Sequence, residues 1–399
     1  DKDYYQLGSK EDLEWFRNQV NSGTGTINAV LTNDIDLGNE NWTPIGTTAD
    51  WVTTFSENPF KGTFDGGGYT ISGLKIEVSA GGVYGLFGAT ASPAKIQNLV
   101  VRGSVAVTIP SSAYMGYVAG VVGQPYNTTL EQVVSYVDVT STNKSSSASA
   151  AGGLCGNGNG ATIRNCANYG TIQSTDSNSN ANVGGLSAMS PYGGKVTIAN
   201  SLNAGAVSGA KVAGGLISIA NSGTTATKSV SLGNVTGKLG GTFTDCLATE
   251  NTISAGGVTT ITALTDENVL TTLGAAFKTG KDGLPILSWM QEDTSESWTA
   301  PVEGADGFYP LASKKDLEWF RDQVNGGKGA IKAKLTDDID LNGANWTPIG
   351  MDYNHQFKGT LDGDGHTISR LVIDAKTADS SGNMEVGLFG EINAATIKN

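Results

Sequence analysis

Five phrases recur at nearly even spacing through the middle of the chain: KIQNLVVRGSV, TLEQVVSYVDV, TIRNCANYGTI, TIANSLNAGAV and TKSVSLGNVTG. Their polar corner positions, Asn98, Gln132, Asn165, Asn200 and Ser229, are separated by 34, 33, 35 and 29 residues. A period of this length marks a solenoid, whose repeats are each too small to bury their own apolar face and must stack. Two residues before the corners sit Ile96, Leu130, Ile163, Ile198 and Thr227. Leu99, Val133, Cys166, Ser201 and Val230 follow one residue after, and Val105, Val139, Ile172, Val207 and Thr236 seven after. These read as inward columns. Asp245, with Phe243 and Cys246, reads as a shortened last coil.

The apolar runs are short, rich in β-branched residues, and punctuated by Gly, Asn, Ser and Asp, which favours strands over helices. Glycine fills 55 positions, about twice its usual share of roughly 7%. A second phrase precedes most corners: GLFG, AGVV, GGLCG, GGLSA and GGLIS, beginning at Gly85, Ala119, Gly152, Gly184 and Gly214. Each is expected to supply another strand of its coil. The fold class is therefore all-β: a right-handed parallel β-helix with short capping helices.

An open coil exposes core and unpaired strand edges, so the ends need covers. Ser9-Lys10-Glu11-Asp12 predicts an N-capped helix with Leu13, Phe16 and Val20 on one face, a lid. Leu264 to Phe277 reads as a helix, and DGLPILSWM (Asp282 to Met290) is expected to close the other end.

A larger duplication lays Leu7 to Gly46 on Leu311 to Gly350, with 28 of 40 positions identical. It continues through FKGTFDGGGYTISGLKI against FKGTLDGDGHTISRLVI and ends at Asn399, the counterpart of Asn98. The expected organisation is a complete module over residues 1–290, an acidic linker over 291–305, and a shortened second copy over 306–399 with cap helix and first coil. The open edge of that copy is expected to be covered by docking, by self-association with another chain, or by strands outside this sequence.

The net charge of −13 is spread along the chain without a basic stretch, which argues against nucleic acid. No apolar run reaches about 18 residues, so membrane insertion is not expected of this segment. The chain starts at Asp1 without a leader pattern and reads as a soluble portion of an exported protein. Cys155, Cys166 and Cys246 lack the spacing of a zinc site and are expected to be buried free thiols. The two histidines, His355 and His366, both lie in the second copy, so residues 1–300 have no histidine base.

The phrases AVLTNDIDL, NWTPIG, FKGTFDGGGYTISGLKI, GLFG and the GGL-headed coils resemble the GLUG-motif β-helix repeats of bacterial surface proteins. The resemblance covers nearly the whole chain. It implies large adhesin-like proteins, or the non-catalytic N-terminal regions of IgA-specific metallopeptidases, displayed extracellularly or attached to the cell wall. No HEXXH run is present.

Because parallel β-helices also host polysaccharide lyases and glycoside hydrolases, a carbohydrate-active enzyme is the competing expectation. Asp34 and Asp36, repeated as Asp338 and Asp340, project from one side of a strand and could hold calcium with Asp65 or act as acid and base on a sugar. The plainer reading is that they cap turns or face solvent. FDGGGY reads as a corner, and Trp42 and Trp346 as packing residues in NWTPIG; Trp51 is a further candidate for sugar stacking. Arg164, Lys195, Lys211 and Lys228 are isolated among Ser, Asn and Gly. The expectation is therefore a structural or adhesive module with no catalytic, metal or cofactor residues, whose partner is a host glycan or surface protein.

Overall fold

The computed structural model describes the chain apart from residues 1–3, 48–57, 114–115, 145–148, 176–180, 190–194, 210–211, 235, 239, 251–253, 281–282, 291–299, 342–345, 370, 372 and 374–385. It divides into two compact units, Asp1–Glu292 and Asp293–Asn399. The expected linker falls mostly on residues outside the description.

In the first unit one face is a parallel stack running Tyr4–Leu7, Asn28–Leu31, Thr63–Asp65, Lys95–Ile109, Thr129–Asn143, Thr162–Arg164, Thr197–Ala199, Thr225–Thr227 and Thr242–Thr244. A five-stranded and a six-stranded sheet, the latter from Phe87–Ala91 to Thr236–Lys238, complete the coils. The unit is a parallel β-solenoid. Ile96, Leu130, Ile163 and Ile198 pair in register and are fully buried, one side chain per coil.

Each coil bends at a residue in the left-handed region: Asn98 (φ 51), Gln132 (φ 56), Asn165 (φ 52), Asn200 (φ 48) and Asp245 (φ 50). Short polar side chains tolerate this backbone better than branched ones. In the fifth coil the corner is Lys228 (φ 46), not Ser229. Thr227 therefore pairs with Ala199, and Ala226, fully buried, takes the column place expected for Thr227. Ser229 takes the place expected for Val230, which instead faces a flanking cluster. Thr236 leaves the Val207 column and pairs with Ile217, because this coil turns early at Gly233 (φ 75) and Asn234.

The GGL-headed phrases each span a corner and supply the start of the strand that follows it. Ser149–Gly152 ends at the first glycine of its phrase and Cys155–Asn157 begins at the fourth residue; Ala181–Gly184 and Ser187–Met189 repeat the pattern. Glycine is required there for space. A Cβ on Gly153 would lie 2.4 Å from Asn168 Cγ, and one on Gly185 2.2 Å from Asn203 Cγ.

Two polar ladders run inside the core. Ser135, Asn168, Asn203 and Ser231 stack in register, each fully buried. One residue after the corners, the Val133 N–H donates to Cys166 Sγ, the Cys166 N–H to Ser201 Oγ, and the Ser201 N–H to Ser229 Oγ. Each of these side chains donates in turn to the carbonyl two residues before it: Arg164, Ala199 and Thr227. Buried N–H groups that the bent corner takes out of the sheet ladder are thereby satisfied.

The lid is the helix Lys10–Asn21, with Ser9 and Asp12 forming a reciprocal capping box and Leu13, Phe16 and Val20 buried. Phe16 packs on Phe60 and Phe64, each at 5.7 Å between ring centroids.

The C-terminal segment does not close the far end. Its helix is only Glu267–Leu273, followed by an antiparallel pair, Phe277–Thr279 with Pro285–Leu287. Val269, Leu273, Phe277, Leu287 and Met290 pack against an outward column of Val100, Val134, Ala167, Leu202, Val230 and Leu247. Asn200 Nδ2 donates to the Leu273 carbonyl at 3.1 Å, and Tyr169 donates its hydroxyl to the Pro285 carbonyl. A Cβ on Gly68 would lie 3.7 Å from the Trp289 ring. The segment is thus a lateral strap that returns from the last coils to the first, and it lies there because post-corner strands are apolar on their outer side too.

The second unit repeats the lid and the opening strands. Tyr309–Leu311, Lys332–Leu335, Thr360–Asp362 and Thr396–Lys398 stack in parallel, and the helix Lys314–Asn325 buries Leu317, Phe320 and Val324.

Candidate functional site

The carboxylates of TNDIDL serve backbone geometry. Asp34 and Asp36 both face outward around buried Ile35. Asp34 Oδ1 accepts from the Thr70 N–H at 2.7 Å and Asp36 Oδ1 from the Gly38 N–H at 2.9 Å. Asp65 Oδ1 accepts from the Gly67 N–H at 2.9 Å, and Asp65 also takes amide donors from Gln97 at 2.6 Å and Asn98 at 3.0 Å. Asp338 repeats the role of Asp34, accepting from the Thr367 N–H at 2.8 Å. The side chain of Asp340 lies outside the described residues. Among the described residues no three His, Cys, Asp or Glu side chains gather where they could hold a metal ion.

FDGGGY is a corner: Asp65 holds Gly67, which with Gly68 has positive φ (59 and 85). Trp42 is buried and donates Nε1–H to the Leu86 carbonyl at 3.1 Å, with the Arg17 guanidinium 4.6 Å from its ring. Trp346 repeats this with the Leu388 carbonyl and Arg321. Both indoles are packing groups. Trp51 and Lys211 lie outside the described residues.

Arg164 is not isolated. Its Nη2 is 3.0 Å from Glu131 Oε2, and Lys95 Nζ approaches the same oxygen at 3.1 Å, so three successive coils share one ion ladder. Burial is the largest single effect on Glu131 and pushes its carboxyl up, but the Lys95 and Arg164 contacts together outweigh it and hold the carboxyl below its ordinary value. Reading the position before each corner vertically, Gln97, Glu131, Arg164, would have revealed the pairing. A second surface stack sets the Arg102 guanidinium 4.0 Å from the Tyr136 ring, which lies parallel to Tyr169 at 4.7 Å. Burial pushes the Tyr169 phenol up from its ordinary value.

The three cysteines are free and buried. Burial pushes the Cys166 thiol up to about 12, so it is a structural donor and not a nucleophile. No described helix is long and apolar enough to cross a membrane.

No family model matches the chain. An alignment of 100 positions, covering 22% of the chain, is 36% identical to Halomucin of Haloquadratum walsbyi, and it spans 1% of the length of that protein. Among solved structures, a Bacteroides ovatus protein described as a candidate immunoglobulin A1 protease aligns with a TM-score of 0.48 and 17% identity, over 72% of this chain and 93% of that one.

Proposed function

We propose that the chain is a non-catalytic, extracellular surface module of the GLUG type, structural or adhesive in role. The observation that carries this reading is the use made of the repeated carboxylates: Asp34, Asp65 and Asp338 hold backbone N–H groups at coil corners. A carboxylate that caps a corner is positioned for rigidity, whereas an acid–base pair on a sugar must converge across a cleft. The stacked coils of the first unit, with their lid and lateral strap, are a solenoid of the kind that presents long surfaces. The local likeness to Halomucin, 1% of that protein's length, fits a part of a large surface chain.

The test is to immobilise the whole chain on beads and measure retention of mucin and polysaccharides while monitoring reducing ends and unsaturated products. Retention without product release is expected. Product release that tracks purified protein would overturn the reading in favour of a carbohydrate-active β-helix enzyme.

A further inference from the structure

Independently of the surface-module reading, we propose that a notch near the distal end of the first unit binds an extended basic peptide, added as a parallel strand beneath Val207–Ser208. The notch comes from one short coil. Corners from Asn98 to Asn200 are separated by 34, 33 and 35 residues, whereas the coil from Lys228 to Asp245 is about half as long. That coil keeps Thr236–Lys238 beneath Ile217–Ile219 and Thr242–Thr244 beneath Thr225–Thr227. Among the described residues it lays no strand beneath Val207–Ser208, because it turns at Gly233 and Asn234, where the Asn234 carbonyl takes the Gly215 N–H.

The skipped strand leaves backbone, side-chain and charge features at one place. The Ile172 N–H donates to the Ala206 carbonyl, which in a parallel ladder turns the Val207 N–H and C=O to the opposite side, into the notch. No described residue bonds either group. Val105, Val139 and Ile172 are fully buried by the coils that follow them, but Val207, next in the same column, is only half-buried. Between Ala206–Val207 on one coil and Leu232–Asn234 on the next lies a cavity of about 340 Å³. This is the low end of ligand-binding cavities and suits two or three extended residues, at about 3.3 Å each. Glu250 is the charged residue of its lining; it is exposed, accepts from Asn234 Nδ2 at 3.2 Å, and pairs with no described cation.

These features choose the occupant. An open N–H and C=O on one strand residue are matched by the main chain of another strand, whose own groups straddle a single residue at the same spacing. That residue continues a column of valine and isoleucine, so it is Val or Ile. Its flanks carry Lys or Arg toward Glu250, in a chain whose net charge of −13 attracts cations. The edge is two residues long, which suits a short segment and is a poor template for joining whole sheets.

The probe is an end-blocked, fluorescein-labelled peptide, Lys-Ala-Val-Ser-Lys, titrated with the full chain and followed by anisotropy. Saturable binding is expected. N-methylation of the residue after the valine removes the donor to the Val207 carbonyl and should weaken binding about tenfold or more. Replacing both lysines of the peptide by glutamate should also weaken it, and Glu250→Lys should reverse that charge preference. Ala206→Trp, at an exposed position on the notch, should abolish binding of every peptide with an unchanged melting temperature. Glu250→Lys changes an exposed side chain and keeps the test decisive if Ala206→Trp misfolds. Equal affinity for the N-methylated peptide overturns strand addition, and a charge preference untouched by Glu250→Lys overturns the notch as its place. Failure of the parent peptide to bind overturns the proposal; dimers of the wild-type chain that Ala206→Trp dissolves would then assign the notch to a second copy.

Discussion

Asn168 donates through Nδ2 to Asn203 Oδ1 at 2.9 Å, one coil away, and both amides also hold the carbonyl two residues on, Gly170 and Gly205. This interior bond occupies the space that the GGL corners must leave empty. Substituting Gly185 by Ala places a methyl 2.2 Å from Asn203 Cγ and as close to the Gly215 carbonyl, so overpacking of about 1–3 kcal/mol or more is expected. Asn168→Leu leaves the Gly170 carbonyl and Asn203 Oδ1 without that donor, at about 1–3 kcal/mol for each buried group. Asn168→Ser should be milder, because Ser135 and Ser231 fill the same column. Denaturant midpoints for the three variants test the order; equal losses for Leu and Ser would refute the ladder.

The strap yields a second prediction. Leu273 is fully buried between helix Glu267–Leu273 and the Val230–Leu247 side of the coils. Leu273→Ala should cost about 2–5 kcal/mol. The loss should appear first as faster amide exchange in residues 264–290 and as dye binding to the uncovered Val134–Leu202 column, with coil amides still protected. Simultaneous exchange of strap and coils would show that the strap is integral to one cooperative unit.

The strap also shows what a sequence of this kind hides. The coil period, the Ile96–Ile198 column, the capping box at Ser9 and the buried thiols are visible because each depends on residues near one another or at a fixed period. The strap depends on Val100, Val134 and Leu202 having an apolar outer neighbour, and nothing in a strand pattern states which outward aliphatic will be covered. The register error at Lys228 has a similar origin. A lysine at φ 46 is chosen by the coil, which needs Ala226 inside, against the local preference for a small polar corner residue. The ion ladder at Glu131 was legible only by comparing coils column by column.

The thiol ladder predicts an asymmetry. Cys166 accepts from the Val133 N–H at 3.4 Å and donates to the Arg164 carbonyl at 3.1 Å, roles that Ser201 and Ser229 perform with hydroxyls in the next coils. Cys166→Ser should therefore melt within a few degrees of wild type, whereas Cys166→Val, which keeps the volume and removes both bonds, should melt lower. All three thiols should react with a disulfide reagent only in denaturant, since burial raises each pKa. Reaction of Cys166 in the native state, or a Ser variant less stable than Val, would contradict the arrangement.

The ladder at Glu131 fixes the direction of a pH effect. Its folded-state carboxyl is held below the ordinary value by Lys95 and Arg164, so the group favours folding when ionised. For a depressed carboxyl the contribution is fully present above the unfolded pKa, about 4.3 for glutamate, and is lost as pH falls through the lower folded value. The partners are partly exposed, with Glu131 at 27%, Lys95 at 37% and Arg164 at 47% side-chain exposure, so screening keeps the contribution modest. Glu131→Gln should thus lower the melting temperature slightly at pH 7, and the difference from wild type should shrink as pH drops below about 4 and in high salt. Arg164→Gln should act in the same direction with a smaller effect, because Lys95 still contacts the carboxylate. A Glu131→Gln difference that grew on acidification would mean the carboxyl is raised in the folded state and that burial, its largest single influence, outweighs the two cations.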